Sequence, residues 1–201
     1  MKRIGLLIVL IVAINYSSWA QSNIFGISWE VNTPTNGHYI TKTSYAGGKI
    51  EYRHFFQKKY SVGLALNWTN YEQYFPKTTI QSKDGNSAVT SDYVAQVYQL
   101  PITATFHYYF TGSKSWLPYA GIALGGQSLQ QSLYYNVYVS DDDNWGFVAR
   151  PEIGVIWHPE GNINWGIMLG ASYSYATNKT DLIGSNSFQN FGLSLGFVFG
   201  N

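Results

Sequence analysis

Six charged side chains interrupt stretches of alternating apolar and polar residues: Glu30, Lys49, Glu51, Arg53, Arg150 and Glu152. Three acids and three bases sum to zero. At alternate positions of an extended segment, as in Lys49, Glu51 and Arg53, they point to the same side. Such a set either pairs into a neutral buried network or lines a narrow path that sorts ions. The four histidines raise a third possibility. One arrangement for nucleophilic attack from a strand sets a serine two residues along from a histidine, on the same face. His38, His54, His107 and His158 are followed at that spacing by Ile40, Phe56, Tyr109 and Glu160, so the required serine is missing each time. No catalytic residue, no enzyme activity and no cofactor is expected. Asp141, Asp142 and Asp143 are a minor candidate for Ca²⁺ with loop carbonyls. The run lacks the spaced ligands of an EF-hand, and acidic runs are commonly solvated loop.

The elements that must position these groups have the period-2 pattern of strands. Phe25, Ile27, Trp29 and Val31 share one face, opposite Gly26, Ser28, Glu30 and Asn32. The same alternation recurs in Ala46 to His54, Ser61 to Trp68, Tyr98 to Tyr108, Tyr119 to Gly125, Gly146 to Trp157, Ile163 to Tyr173 and Asn190 to Phe199, which makes eight segments of about ten residues. Pro101 lacks an N–H and predicts a bulge or a local break in pairing. Short turns (57–59, 111–115, 159–162) alternate with long polar connections (33–44, 72–92, 128–144, 177–186). This is the layout of an all-β, eight-stranded antiparallel up-and-down barrel over residues 21–201.

Residues 1–20 read as a cleavable secretory signal: Lys2 and Arg3, an apolar run from Ile4 to Ile14, then Ser18-Trp19-Ala20. The run is short of the roughly 20 residues a spanning helix needs. Its removal leaves ten bases against eleven acids.

Charge decides which face meets which solvent. Only 11% of the 201 residues are charged, against about 25% in soluble domains, while 17 Tyr, 11 Phe and 7 Trp are present. A nucleic-acid partner would call for a basic surplus, and a disulfide scaffold for cysteine, which is absent. Six charges fall in the strand segments, all on the polar face, and the remaining fifteen in connections. The apolar face carries large side chains and no acid, lysine or arginine. That is a lipid-facing wall around a polar lumen, closed because an open sheet edge cannot persist in hydrocarbon. Trp29, Trp68, Trp157 and Trp165 are expected in interfacial aromatic girdles.

The segments Leu100-Pro-Ile-Thr-Ala-Thr-Phe-His-Tyr-Tyr-Phe110 and Leu117-Pro-Tyr-Ala-Gly-Ile-Ala-Leu-Gly125, with a Phe-x-Phe near the end, resemble small Gram-negative outer-membrane β-barrel proteins of the OmpW-like and OmpX/OmpA-like groups. The resemblance implies an outer-membrane location among lipid and lipopolysaccharide. It also implies periplasmic chaperones and the barrel-assembly machinery during biogenesis, periplasmic termini and short turns, and long loops outside.

Counted from the short turns, the six strand charges reach comparable heights inside a barrel just wide enough for side chains to fill. An ion-pair plug is therefore expected, the alternative being a gate on a narrow conductance. Two roles follow. The first is a scaffold presenting four loops, with Tyr134, Tyr135 and Tyr138 as a possible sticky patch for an extracellular ligand. The second, from the OmpW-like resemblance, is a route for small apolar solutes. It needs an apolar upper lumen, whereas Asn32, Asn67, Thr69 and Gln127 predict a polar one.

Overall fold

The computed structural model describes residues 23–36, 40–81, 88–110, 115–135, 138–159, 164–179 and 186–200. The expected signal segment and His38, Lys83, Asp84, Lys114, Glu160 and Asp181 lie outside the described residues. Eight strands follow in order: β1 (Asn23–Pro34), β2 (Ser44–Gln57), β3 (Tyr60–Gln81), β4 (Ala88–Tyr109), β5 (Trp116–Tyr135), β6 (Tyr138–Trp157), β7 (Trp165–Ala176) and β8 (Phe188–Gly200). Each is antiparallel to its chain neighbour, and β8 pairs back onto β1 to close a barrel.

Alternation places the apolar file outside. Phe25, Ile27 and Trp29 of β1 and Leu193, Leu195, Phe197 and Phe199 of β8 are all exposed on the wall, while Ile24, Ser28, Glu30 and Asn32 are buried within. An apolar exterior over a polar interior is the arrangement of a membrane wall. A lower girdle carries Trp116 against Trp157 at 6.0 Å and Tyr60 against Phe56, Phe106 and Tyr108. Trp157 and Trp165 stand at strand ends as expected. Trp29 and Trp68 lie within strands instead, flanking Gly48 in one cross-strand row.

The strands are longer than the sequence pattern indicates. β3 and β4 have 22 residues each and β5 and β6 have 20. Most of the expected loops 72–92 and 128–144 are therefore ladder, Gln81↔Ala88 and Tyr135↔Tyr138 being the topmost pairs. Glu72, Lys77, Asp92, Asp141, Asp142 and Asp143 accordingly belong to strands, not connections. The cause is a change of solvent partway up. Within the belt Leu66, Trp68, Tyr98, Leu100, Ile122 and Leu124 face outward. Above it the inward positions Tyr71, Phe75, Val97, Leu129 and Leu133 become the apolar ones, and Glu72, Asp92 and Gln130 face out. The upper part of β3–β6 is thus a raised four-stranded sheet patterned for water. Cross-strand bonds between Thr79 and Thr90 (2.8 Å) and from Tyr74 to Asp92 (3.1 Å) fasten its outer face. The second bond holds the Tyr74 phenol above its ordinary value, because ionisation would forfeit the proton it donates.

Pro101 interrupts pairing without a bulge. It pairs with Gln127 on β5, while the ladder to β3 is missing between Leu66↔Ile102 and Thr69↔Gln99, with register unchanged. The missing N–H removes a ladder bond on one side only.

Candidate functional site: a layered lumen

The interior is stacked in four layers. At the bottom, nearest the chain ends, Ile24, Tyr109, Tyr119, Ile156, Met168 and Val198 form an apolar floor with Phe55 and Leu117. The ionic layer follows, then a layer of amides and hydroxyls. An apolar upper cluster of Ile40, Tyr71, Ala95, Val97, Leu129, Leu133 and Phe188 closes the stack. The expectation of a polar upper lumen is therefore corrected. Asn32, Asn67, Thr69 and Gln127 are inward and buried, but they form the middle layer. Leu129 and Leu133, with Phe75 and Tyr135 packed against the cluster, come from strand extensions whose sequence reads as loop.

All six strand charges point inward and are buried, in two groups. In the lower group Lys49 Nζ lies 3.1 Å from Glu51 Oε2 and 3.5 Å from Glu152 Oε2. Arg53 Nη2 lies 2.8 Å from Glu51 Oε1 and 3.4 Å from Glu152 Oε1. Two cations thus bridge two carboxylates from β2 and β6, across the lumen. Arg53 also donates to Tyr109 Oη at 3.1 Å and lies 4.4 Å from the centre of the Tyr119 ring. In the upper group Arg150 grips Glu30, with Nη1 3.4 Å from Oε2 and Nη2 on Oε1, while Asn67 Nδ2 donates to both carboxylate oxygens at 3.2 Å. β6 supplies a member of each group, Arg150 to one and Glu152 to the other.

An isolated buried charge costs several kcal/mol even after relaxation, so these groups persist only because each faces an opposite charge and further donors. The amide layer is bonded across the barrel in the same way: Asn32 to Thr69 at 3.0 Å, Asn190 to Gln99 at 3.0 Å and Gln127 to Asn178 at 3.2 Å.

Alternation along Tyr98 to Tyr108 puts His107 on the polar, inward face but does not reveal its partner. Its Nε2 lies 2.6 Å from Glu152 Oε1. In the ladder His107 pairs with Gly121, and Gly121 with Glu152, so the glycine stands between them. A Cβ on Gly121 would lie 2.3 Å from His107 Cδ2. Gly121→Val is expected to push His107 off Glu152 and to destabilise the barrel by about 1–3 kcal/mol, the usual cost of overpacking. The His107 ring shifts in an NMR spectrum and an unfolding titration would show both effects. Tyr109 and Tyr119 are further members of the layer that sequence reasoning misses. Their inward parity is the available signal.

Glu51, His107 and Glu152 approach within 4.8 Å of one another, a set able in principle to hold a metal ion. The carboxylate oxygens that would ligate it already face the Lys49 ammonium and the Arg53 guanidinium. The chemistry of this donor set is charge neutralisation. The Asp141–Asp143 candidate also fails, for a geometric reason. All three lie in β6, where successive side chains point to opposite faces, so three adjacent carboxylates cannot converge on one ion.

Tyr134 and Tyr135 likewise lie in β5 rather than a loop, on opposite faces. Tyr134 is exposed, and Tyr135 turns inward beside Tyr93 at 5.5 Å. Tyr138 pairs with Tyr135 at the tip.

An antiparallel barrel with an apolar wall, a neutral filled interior and a sheet raised above the belt defines the class: a small eight-stranded transmembrane β-barrel of the outer-membrane kind. No family model matches the chain, and no curated protein is significantly similar to it. Among solved structures, Neisserial surface protein A (NspA) is similar with a TM-score of 0.55 at 15% identity, covering 89% of this chain and 96% of that one. Ail, the attachment invasion locus protein of Yersinia pestis, has a TM-score of 0.52 at 14% identity, covering 90% and 97%. Ail has also been solved in complex with the heparin analogue sucrose octasulfate, and that structure has a TM-score of 0.50 at 15% identity, covering 90% of this chain and 97% of that one. At these identities the likeness is one of fold.

Proposed function

We propose that the protein is a Gram-negative outer-membrane scaffold with a closed lumen, whose working surface is the raised sheet of β3–β6. On this reading residues 1–20 are removed on export. The chain ends and short turns lie in the periplasm, and the sheet stands outside among lipopolysaccharide. The barrel-assembly machinery and periplasmic chaperones serve its biogenesis. No catalysis is assigned: His107, paired to the Glu152 carboxylate, is fully buried in the ionic layer. The observation that carries the reading is the state of the ionic layer. Glu30, Glu51 and Arg53 are at most 1% exposed, with apolar layers above and below. A water-filled path would leave such groups hydrated.

Planar-bilayer recording tests closure. Steady conductance is not expected from the purified barrel; ion-selective openings abolished by Arg53→Ala would contradict it. A polyanion of the kind bound by Ail is a poor match for the raised sheet, which carries Glu72, Asp92, Asp141, Asp142 and Asp143 against Lys77.

A second reading, a route for small apolar solutes, gains from the apolar upper cluster around Tyr71, Val97, Leu129, Leu133 and Phe188. The ionic layer beneath blocks descent to the other end, so the solute would have to leave sideways through the wall. Uptake of an apolar probe by vesicles holding the protein, lost on Leu129→Asn, would favour it over the scaffold.

A further inference from the structure

The charges of the molecule are sorted along the barrel axis. Glu72, Asp92, Asp141 and Asp143 are exposed on the raised sheet, and Asp142 lies on that sheet's inner face. The other described acids, Glu30, Glu51 and Glu152, are buried in the lumen. Among the described residues the lower end therefore carries no acid. Its exposed charges there are Lys58 and Lys59, side by side in the connection from β2 to β3.

This turn is held tightly. Gln57 pairs with Tyr60, so the two lysines are its whole length. The Tyr109 N–H donates to Lys59 O at 2.9 Å, which draws the turn against β4. Above the turn the outer wall carries a shelf of rings. Phe56 stacks on Tyr60 at 5.9 Å, Tyr60 lies 5.3 Å from Tyr108, and Tyr108 meets Phe110 edge-on at 5.2 Å. Higher on β3 the outward side chains become aliphatic, with Val62, Leu64 and Leu66 exposed.

The neighbouring strands mark the same depth with polar groups. At the lower end of β1 and β2, His54 Nδ1 lies 2.7 Å from Asn23 Oδ1, and the Tyr52 hydroxyl donates to the same oxygen at 2.9 Å. Histidine and asparagine bonded together on the outer surface belong among headgroups and not in hydrocarbon. Rings at that boundary with basic groups just beyond them match a lipid of net negative headgroup charge. An ordinary girdle supplies the rings alone. Trp165 and Phe199 pair at the same end of β7 and β8, both exposed, and residues 159–170 and 190–201 contain no lysine or arginine.

We propose that the β2–β3 turn and the ring shelf above it bind an anionic phospholipid. The phosphate lies against Lys58 and Lys59, with the Tyr60 and Tyr108 hydroxyls as further donors, and the acyl chains run up the wall over Phe106 and Val62. The proposal rests on the wall meeting lipid and not on closure of the lumen.

The test places the full-length protein in phosphatidylcholine nanodiscs doped with a trace of photoactivatable phosphatidylglycerol, and maps the crosslinks by mass spectrometry. Photoactivatable phosphatidylcholine serves as the comparison. Crosslinks to residues 55–60 and 106–110 are expected to be about tenfold denser with the anionic lipid, the scale of two exposed charges. No such excess is expected at Trp165 and Phe199. Lys58→Gln with Lys59→Gln, in an exposed turn and so compatible with folding, should abolish the excess, and Lys58→Arg with Lys59→Arg should keep it. Equal labelling by the two lipids overturns the proposal. So does an excess that survives the double glutamine variant or appears equally at Trp165 and Phe199. Loss of the excess on adding inorganic phosphate at constant ionic strength would assign the site to a soluble anion and also overturn it. Both leaflets of a nanodisc hold the same lipid, so the outcome does not depend on which way the barrel stands in the cell. Crosslinks along the wall without headgroup preference would place the error in this inference alone. Absence of crosslinks from the whole wall would place it in the membrane reading.

Discussion

Glu152→Ala is expected to lower the unfolding free energy by about 3–5 kcal/mol, the cost of breaking a buried ion pair and leaving charge uncompensated. Glu152 is the residue on which the lower group converges. Lys49, Arg53 and His107 all approach its carboxylate, at 3.5, 3.4 and 2.6 Å. Without it Glu51 alone faces the two permanent cations, in an interior sealed by apolar layers above and below. Urea titration of the protein in lipid vesicles, followed by tryptophan fluorescence, measures the loss. A paired replacement separates charge balance from simple truncation. Glu30→Gln combined with Arg150→Met removes one acid and one base, and the introduced amide retains an acceptor for Asn67. That double variant should cost less than Arg150→Met alone, because nothing charged is left without a partner. Equal losses in the two would mean that the upper group contributes packing and not charge pairing.

The second large effect concerns the wall. Leu195 lies on the outer face of β8, about half exposed, midway along the strand. Leu195→Arg places a guanidinium in hydrocarbon and should cost about 2–4 kcal/mol, the range found for basic residues near the midplane of membrane barrels. Tyr74→Arg, on the outer face of the raised sheet, should cost far less, because that face is patterned for water and the introduced guanidinium still faces Asp92. The same urea titration compares the two. A small loss at Leu195 would mean that this face meets water.

The barrel itself is legible in the sequence because its alternation is strong where one face meets lipid. Phe191, Leu193, Leu195, Phe197 and Phe199 against Asn190, Gly192, Ser194 and Gly196 leave little choice of face. The six inward charges are legible for the same reason: on such a strand a charge has one place to go. The raised sheet is hidden by a change of phase. Along β4 the apolar residues are Ile102, Leu100 and Tyr98 on the outside, and then Val97 and Ala95 on the inside. Read as one continuous pattern, this change looks like the end of a strand. Physically it marks the point at which the outer solvent becomes water and the apolar face turns inward, while the strand itself continues. Taking the phase change for a strand end turns ladder into loop, puts the three aspartates on a connection and conceals the apolar cap. Partners across the lumen are hidden for another reason. Register between distant strands decides that His107 meets Glu152 across Gly121, and no local spacing encodes it.

Closure of the interior is the central claim about the lumen, and labelling with a charged thiol reagent tests it most directly. The chain has no cysteine, so each introduced thiol is unique. Ser28→Cys and Thr105→Cys place a thiol of similar size on the inner face at the level of the ionic layer, where both native residues are buried. Tyr74→Cys places one on the raised sheet as a positive control. In lipid vesicles a closed lumen predicts rapid reaction at position 74 and none at positions 28 and 105 until the barrel is unfolded. Rapid labelling of either lumen position in the folded protein would show that water and ions reach the ionic layer, and would contradict closure.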